Sequence, residues 1–544
     1  MRIAELITAT LANFGVERIF SVPGESFLGL LDALHDEARI DLVTCRHEGS
    51  AGLAAVADAK LSGKTGVAAV SRGPGLFNAS IALHVAEQEA IPLILLVGQV
   101  DLPNLDRGAV QEVDTRVSLN WVIKGSYRIA HPATAAEVLR KAFALATSGT
   151  PGAVIIELPE DALEYEAAQA APFPAAVAAD TLAEPAIDTF VSLLEGCERP
   201  LLLVGGQNRS DDFRHALARF AGKFGLPVVA ANKQQDQFSN RHPNWAGQLG
   251  FFPSREHTAL LGEADLIVAL GTRLGDLSTL GFNYPRQAPP RQKLVHVHPD
   301  AAVLGARFET DLAVAADAGA FVRRMLDTAY TRALSSGWSS QISHARETLH
   351  YWRGESAPTA DVLGHTVHAC SRFLSDDGIV TTDSGNFASW VHRIYRLEPT
   401  NRLLGSACGA MGSGVPAALA AALRFPGRQV TAFCGDGGFL MNGNELATAV
   451  ERDLDIKIVV SNNRSYGTIR THQQRAYPGR VSGTDLHNPD FRALANAFGA
   501  QGLLVAHAHE AAAIVEQAYR HRGPVLIEVK CDPDYTVARS IEAG

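Results

Sequence analysis

Short apolar runs rich in Val, Ile and Leu recur along the chain. Each is followed by a stretch in which apolar positions return at helical spacing. "RIFSV" (18–22), "GVAAVS" (66–71), "AVIIEL" (153–158), "PLLLVGG" (200–206), "LIVALG" (266–271), "QVTAFCG" (429–435), "IKIVVSN" (456–462) and "PVLIEV" (524–529) are examples. Runs that are apolar on both faces, alternating with helices, predict parallel sheets covered by helices on either side. "IDLVTC" (40–45) reads as one more buried strand, and "IPLILLVG" (91–98) has the length of a strand and not of a membrane span.

Two stretches break the alternation. "EYEAAQAAPFPAAVAADTLAEP" (164–185) is Ala/Pro-rich and reads as a linker, and the polar segment around 328–358 ends in a proline turn. The expected architecture is α/β, with three doubly wound parallel-sheet units at about 1–170, 186–330 and 355–544. The first and third units echo each other. "GVAAVSRGPGLFNASIALHVAEQEAIPLILLVGQ" and "QVTAFCGDGGFLMNGNELATAVERDLDIKIVVSN" both read strand, Gly-x-Gly turn, helix, strand. The first turn is Gly-Pro-Gly and carries no ligand; the second is Gly-Asp-Gly and carries an acid.

Composition narrows the function. The 544 residues are 47% hydrophobic and 19% charged with a net charge of −10, which suits a globular chain and argues against non-specific nucleic-acid binding. The N-terminal "MRIAELITATLANFGVERIF" is amphipathic with internal acids and does not read as a signal peptide. The six cysteines are scattered, which argues against a zinc site or a disulfide framework. A soluble cytoplasmic protein is expected.

The sharpest chemistry lies in "VTAFCGDGGFLMNGNELATAVERDLDIKIVVSNNRSYG" (430–467). Asp436 falls where one buried strand ends and Asn463 where the next ends. In a parallel βαβ unit those ends are neighbours on the ligand-binding edge. Gly435, Gly437 and Gly438 would let a phosphate approach the backbone, and a helix expected to open near Asn444 would add its amides. One carboxylate, one carboxamide and a main-chain carbonyl leave room for phosphate oxygens and water around Mg²⁺.

Gly-Asp-Gly, 24 residues and then Asn-Asn is a thiamine diphosphate (ThDP) motif. Over essentially its whole length the chain resembles the ThDP enzymes of the acetolactate synthase, pyruvate oxidase and benzoylformate decarboxylase type. That resemblance implies pyrimidine-binding, central and diphosphate-binding domains in that order. It also implies Mg²⁺ held by Asp436, Asn463 and the carbonyl of Ser465. "GAMG" (409–412) would supply Met411 as the wedge that bends the cofactor and the Gly409 carbonyl as acceptor for its 4′-amino group. Gly73, Asn78, Tyr466 and Gly467 complete the implied cofactor contacts.

The same resemblance gives "RHE" (46–48) its meaning. Glu48 would hydrogen-bond N1′ of the aminopyrimidine and drive the tautomer that activates the cofactor. Its pocket is expected to be apolar and lined by the Gly/Ala run after it, through which a flat ring could lie close. Burial there would raise the carboxyl pKa. Glu48 and the metal unit are expected to meet across a subunit interface, in a homodimer at least and a homotetramer by expectation.

Gln111, in "RGAVQEVD", would face the thiazolium, and Glu25 falls where some related decarboxylases carry a proton-moving acid. A solvated turn acid is an equal reading of Glu25. His84 and the pair His296 and His298 read as core or strand histidines. Departures fall on the acceptor side, with Leu277 in place of an arginine and His472 in place of a tryptophan. The expected activity is a lyase or carboligase that attacks a 2-oxo acid, releases CO₂, and then protonates the product carbanion or adds it to a second carbonyl. A flavin-dependent oxidase is an alternative, because the middle domain in this group can hold FAD or a nucleotide and "GGQNRS" (205–210) leaves that open. A non-catalytic homologue is the other.

Overall fold

The computed structural model describes residues 1–167, 184–250, 254–352, 361–533 and 538. Most of the expected linker, 168–183, and the expected proline turn, within 353–360, lie outside the described residues.

Three six-stranded sheets account for the apolar runs. The first contains β1 (Arg18–Ser21), β2 (Asp41–Thr44), β3 (Gly66–Ser71), β4 (Leu93–Gln99), β5 (Gly125–Arg128) and β6 (Ala153–Pro159). The second contains β7 (Pro200–Val204), β8 (Val228–Ala230), β9 (Trp245–Gln248), β10 (Leu266–Leu270), β11 (Lys293–Val297) and β12 (Leu312–Val314). The third contains β13 (Ile379–Thr382), β14 (Arg402–Gly405), β15 (Val430–Gly435), β16 (Ile456–Asn462), β17 (Gln501–Val505) and β18 (Val525–Lys530).

All pairings are parallel, for example β3 with β4, β7 with β10 and β15 with β16. The inner strands are buried on both faces, which is why they read as unbroken apolar runs. The first sheet runs β2-β1-β3-β4-β6-β5 and the third β14-β13-β15-β16-β18-β17. Counted within each unit, that is one order used twice, so the echo in the sequence is an echo in topology. The middle sheet runs β12-β11-β10-β7-β8-β9, the order of a dinucleotide-binding fold.

Two local expectations are corrected. A helix does open near Asn444, at Leu446–Glu451, but it is not the first helix of the metal unit. An earlier helix starts at Asp436 and runs to Asn442, capped by Gly435, and the 3₁₀ turn 443–445 joins the two. The polar segment around 328–358 is not merely a break. Ser336–Leu349 is a helix whose Trp338 is buried, its indole N–H donating to the Pro200 carbonyl at 2.9 Å.

The helix Glu48–Ser62 is the hub between the first and third units. Its residues 49–60 are all buried, and it packs against the helix Arg72–Glu89 on one side and Gly414–Arg424 on the other. A Cβ on Gly52 would stand 2.5 Å from the Ala82 methyl. The Gly/Ala run therefore brings three helices of one chain close together.

Candidate active site

Asp436 is the first residue of its helix and only 2% exposed. Its Oδ1 accepts from the Gly437 amide at 2.8 Å, and its Oδ2 from the Asn488 side-chain amide at 2.8 Å. Burial pushes its pKa up; the hydrogen bonds, from Gly437 and Asn488 first, act against the rise. One strand over, the Asn463 Oδ1 accepts from the Ser465 amide at 3.1 Å. Arg464 between them takes a left-handed backbone (φ 54°), and the turn is pinned where Tyr466 N donates to the Thr484 carbonyl and Leu486 N to that of Arg464, each at 2.8 Å.

Asp436, Asn463, Ser465, Tyr466 and Gly467 all line a cavity of about 520 Å³. Gly409 and Met411 line it too, as do Gly435, Gly437 and Gly438. Gly437 and Gly438 are constrained by protein contacts as well as by any ligand. A Cβ on Gly437 would lie 2.5 Å from the Tyr466 ring, and one on Gly438 would lie 2.3 Å from an Asp383 carboxylate oxygen. The loop 409–412 turns through left-handed glycines at both ends (φ 85° and 83°). Its far end is held by the Gly412 amide donating to Asp383 at 2.9 Å and by Asn442 donating to the Gly412 carbonyl at 2.9 Å.

Donor chemistry favours a hard cation. A buried carboxylate, a carboxamide oxygen and main-chain carbonyls are oxygen ligands, and no acid–base pair neutralises Asp436 among the described residues. Among those residues there is also no cluster of three or more His, Cys, Asp or Glu side chains that could hold a metal. The site's donors fit Mg²⁺ and not zinc.

The first-unit candidates lie elsewhere. Glu48 opens its helix behind the His47 cap, is half-buried, and accepts from the Asn78 side-chain amide at 3.0 Å. In the single chain one side of Glu48 stays open. Its flanking residues bond to the third unit of the same chain: Arg46 N donates to Glu445 at 2.8 Å and the Ser50 hydroxyl to Asn442 at 3.0 Å. Residues two apart on a helix face away from each other, so Glu48 is turned outward. Gly73 donates its amide to the Gln111 carbonyl at 3.0 Å, and Gln111 and Glu25 are both exposed. None of Glu25, Glu48, Gly73, Asn78 and Gln111 lines the cavity. His296 and His298 are buried strand-end histidines, as expected, while His84 is half-buried against the exposed Trp121.

Sequence reasoning missed Asp383, Asn386, Asn488 and the middle-unit residues Lys233 and Gln248. β13, whose end carries Asp383 and Asn386, is only four residues long and was not singled out. Its "TTDSGN" is a polar strand end that could have been flagged.

Family models agree with this geometry. Residues 1–118 match the thiamine pyrophosphate enzyme N-terminal TPP binding domain, 187–325 the central domain and 383–529 the C-terminal TPP binding domain. The acetolactate synthase large subunit of Parasynechococcus marenigrum is 30% identical over 542 residues, covering 97% of this chain and 87% of that protein. Acetolactate synthase isozyme 1 large subunit of Escherichia coli is 30% identical, covering 99% and 96%. The acetolactate synthase large subunit of Lactococcus lactis is 29% identical, covering 99% and 94%. The chain belongs to the thiamine pyrophosphate enzymes. It is a ThDP-dependent enzyme of the kind that forms or cleaves carbon–carbon bonds. Among the described residues of this thiamine pyrophosphate enzyme, no helix is long and apolar enough to cross a membrane.

Proposed function

We propose that the chain is a Mg²⁺- and ThDP-dependent decarboxylase or carboligase acting on a 2-oxo acid, as the names of its acetolactate synthase relatives suggest. The observation that carries this reading is the placement of Asp436 and Asn463 at adjacent strand ends on one cavity wall. Bound ThDP would supply a nucleophilic carbon that attacks the 2-oxo carbonyl and holds the electron pair when CO₂ leaves.

The chain's own residues do the rest. Asp436, Asn463 and the Ser465 carbonyl would hold Mg²⁺, and the amides at the start of the 436–442 helix would meet diphosphate oxygens. Met411 and the Gly409 carbonyl would set the bend of the cofactor. Glu48 would hold a proton at N1′ of the pyrimidine, with Asn78 orienting its carboxylate. Gln111 and Glu25 would approach from the same side as Glu48.

Because Glu48 faces outward and away from its own chain's cavity, we propose that a second copy brings it to the metal half. Exposed apolar residues flank both halves. Phe77 (54% exposed) stands beside Asn78, and Leu440 (47%) and Met441 (46%) stand beside the metal helix. A second copy would cover both.

Calorimetric ThDP titration with Mg²⁺, paired with a CO₂-release assay on 2-oxo acids, tests the reading. Wild type should bind ThDP only with Mg²⁺, and Asp436→Ala should lose that binding while staying folded. Unchanged affinity in Asp436→Ala would reject the metal assignment.

A further inference from the structure

One end of the cavity is cationic, and among the described residues no carboxylate pairs with it directly. Lys233 follows β8 in a left-handed conformation (φ 56°) and is 5% exposed. Its ammonium group donates to the main-chain carbonyls of Asp383 at 3.1 Å and Thr382 at 3.4 Å. An ammonium has three donors, so one is left over. No carboxylate lies within ion-pair distance of it among the described residues. The two nearest acids are committed elsewhere. Asp383 accepts from the amides of Ser384, Gly412 and Ser413, and Glu89 is paired with Lys60 and accepts from Ala407 N.

Arg393 lines the same cavity and repeats the pattern. Its guanidinium donates to the carbonyls of Thr348 at 3.2 Å and Tyr351 at 2.9 Å, and its buried Nε has no partner. His392, between them on the cavity wall, adds no charge, because burial pushes its pKa down to about 3. Burial also brings Lys233 down to about 8, which still leaves it mostly protonated at neutral pH. Among the described residues, the only carboxylate lining the cavity is Asp436. Lys233 stands over the end of β13, whereas Asp436 and Asn463 stand over β15 and β16. The two ends are thus about one to two strand spacings of ~4.8 Å apart.

Asp383 and Glu89 soften the charge from a distance, but a buried cation with no acid in direct contact is costly, and in a cavity the missing partner is ordinarily the ligand. We propose that Lys233, supported by Arg393, is a specificity-determining site that selects 2-oxo acids carrying a second acidic group at the end remote from the reacting carbonyl. This deepens the function proposed above and rests on it for the 2-oxo acid class.

The test compares matched ligands by calorimetry on the purified full chain: oxaloacetate, 2-oxoglutarate and 2-oxoadipate against 2-oxobutanoate, 2-oxopentanoate and 2-oxohexanoate. At least one diacid should bind wild type about 10-fold or more tighter than its matched monoacid, on the scale of one charge-assisted contact. Lys233→Met should bring that ratio near one. Lys233→Gln, which keeps donors for the two carbonyls and guards against a folding defect in Lys233→Met, should do the same. Where turnover is measurable, the loss should appear in KM for the diacid and not in kcat. Ratios near one in wild type, or a ratio unchanged in both variants, overturn the proposal. ThDP affinity, read separately, reports on the underlying function. Diacid selectivity without ThDP binding would sink that reading and leave the anion site standing, and ThDP binding without selectivity would do the reverse.

Discussion

Asn488 shows what a single side chain adds to this site. It donates to Asp436 and also to the Asn462 side chain at 2.9 Å, and Asn462 in turn donates to Glu528 at 2.8 Å. Groups that orient metal ligands this way commonly account for about 10–100-fold in affinity. Asn488→Ala should therefore weaken Mg²⁺-dependent ThDP binding by that range with little change in melting temperature, read by calorimetry and circular dichroism. Glu48→Gln should leave cofactor binding within a few fold but slow hydrogen–deuterium exchange at the cofactor's reactive carbon by roughly 10²–10⁴. Equal exchange rates would reduce Glu48 to an acid at a helix start. Asp436, Asn463 and Met411 were legible because their motifs are local in sequence. Asn488, Asp383 and Lys233 were not, because each acts on a segment at least 29 residues away, across a loop that folds back on the strand ends.

The helix Glu48–Ser62 looks, at the level of elements, like a pocket wall in sequence and is a packing hub in three dimensions. Small residues serve both purposes, so composition alone could not separate them. Gly52→Val should drive the helix from Ala82 and destabilise the chain by about 1–3 kcal/mol, the usual range for overpacking, visible as a lower melting temperature. The first helix of the metal unit begins about two turns earlier than expected for a related reason. Gly-Asp-Gly-Gly reads as a flexible turn, yet Gly435 caps and the helix begins with Asp436 itself. Inner strands were legible from their apolar runs. Short edge strands such as Gly125–Arg128, none of whose residues is fully buried, carry no such signal.

For the whole molecule, two outcomes follow from how its units join. Mixing inactive Glu48→Gln and Asp436→Ala chains should restore activity after subunit exchange; no recovery would place both residues at one site within a chain. Acid should also loosen the fold. Burial holds His257 and His298 at about 4 and His350 and His392 at about 3, below the ordinary value near 6.5. The folded chain keeps them neutral while the unfolded chain takes up protons, so their contribution is complete above pH 6.5 and falls as pH drops toward 4 and 3. At pH 5 each could cost up to about 2 kcal/mol, and the urea midpoint should fall between pH 7 and pH 5. Finally, the shared strand order of the outer units has a consequence for ancestry. Duplication of one ancestral domain would leave this signature, with the acid kept in the Gly-Asp-Gly copy and absent from the Gly-Pro-Gly copy. The present cleft would then descend from an older contact between two identical proteins, each half since freed to specialise.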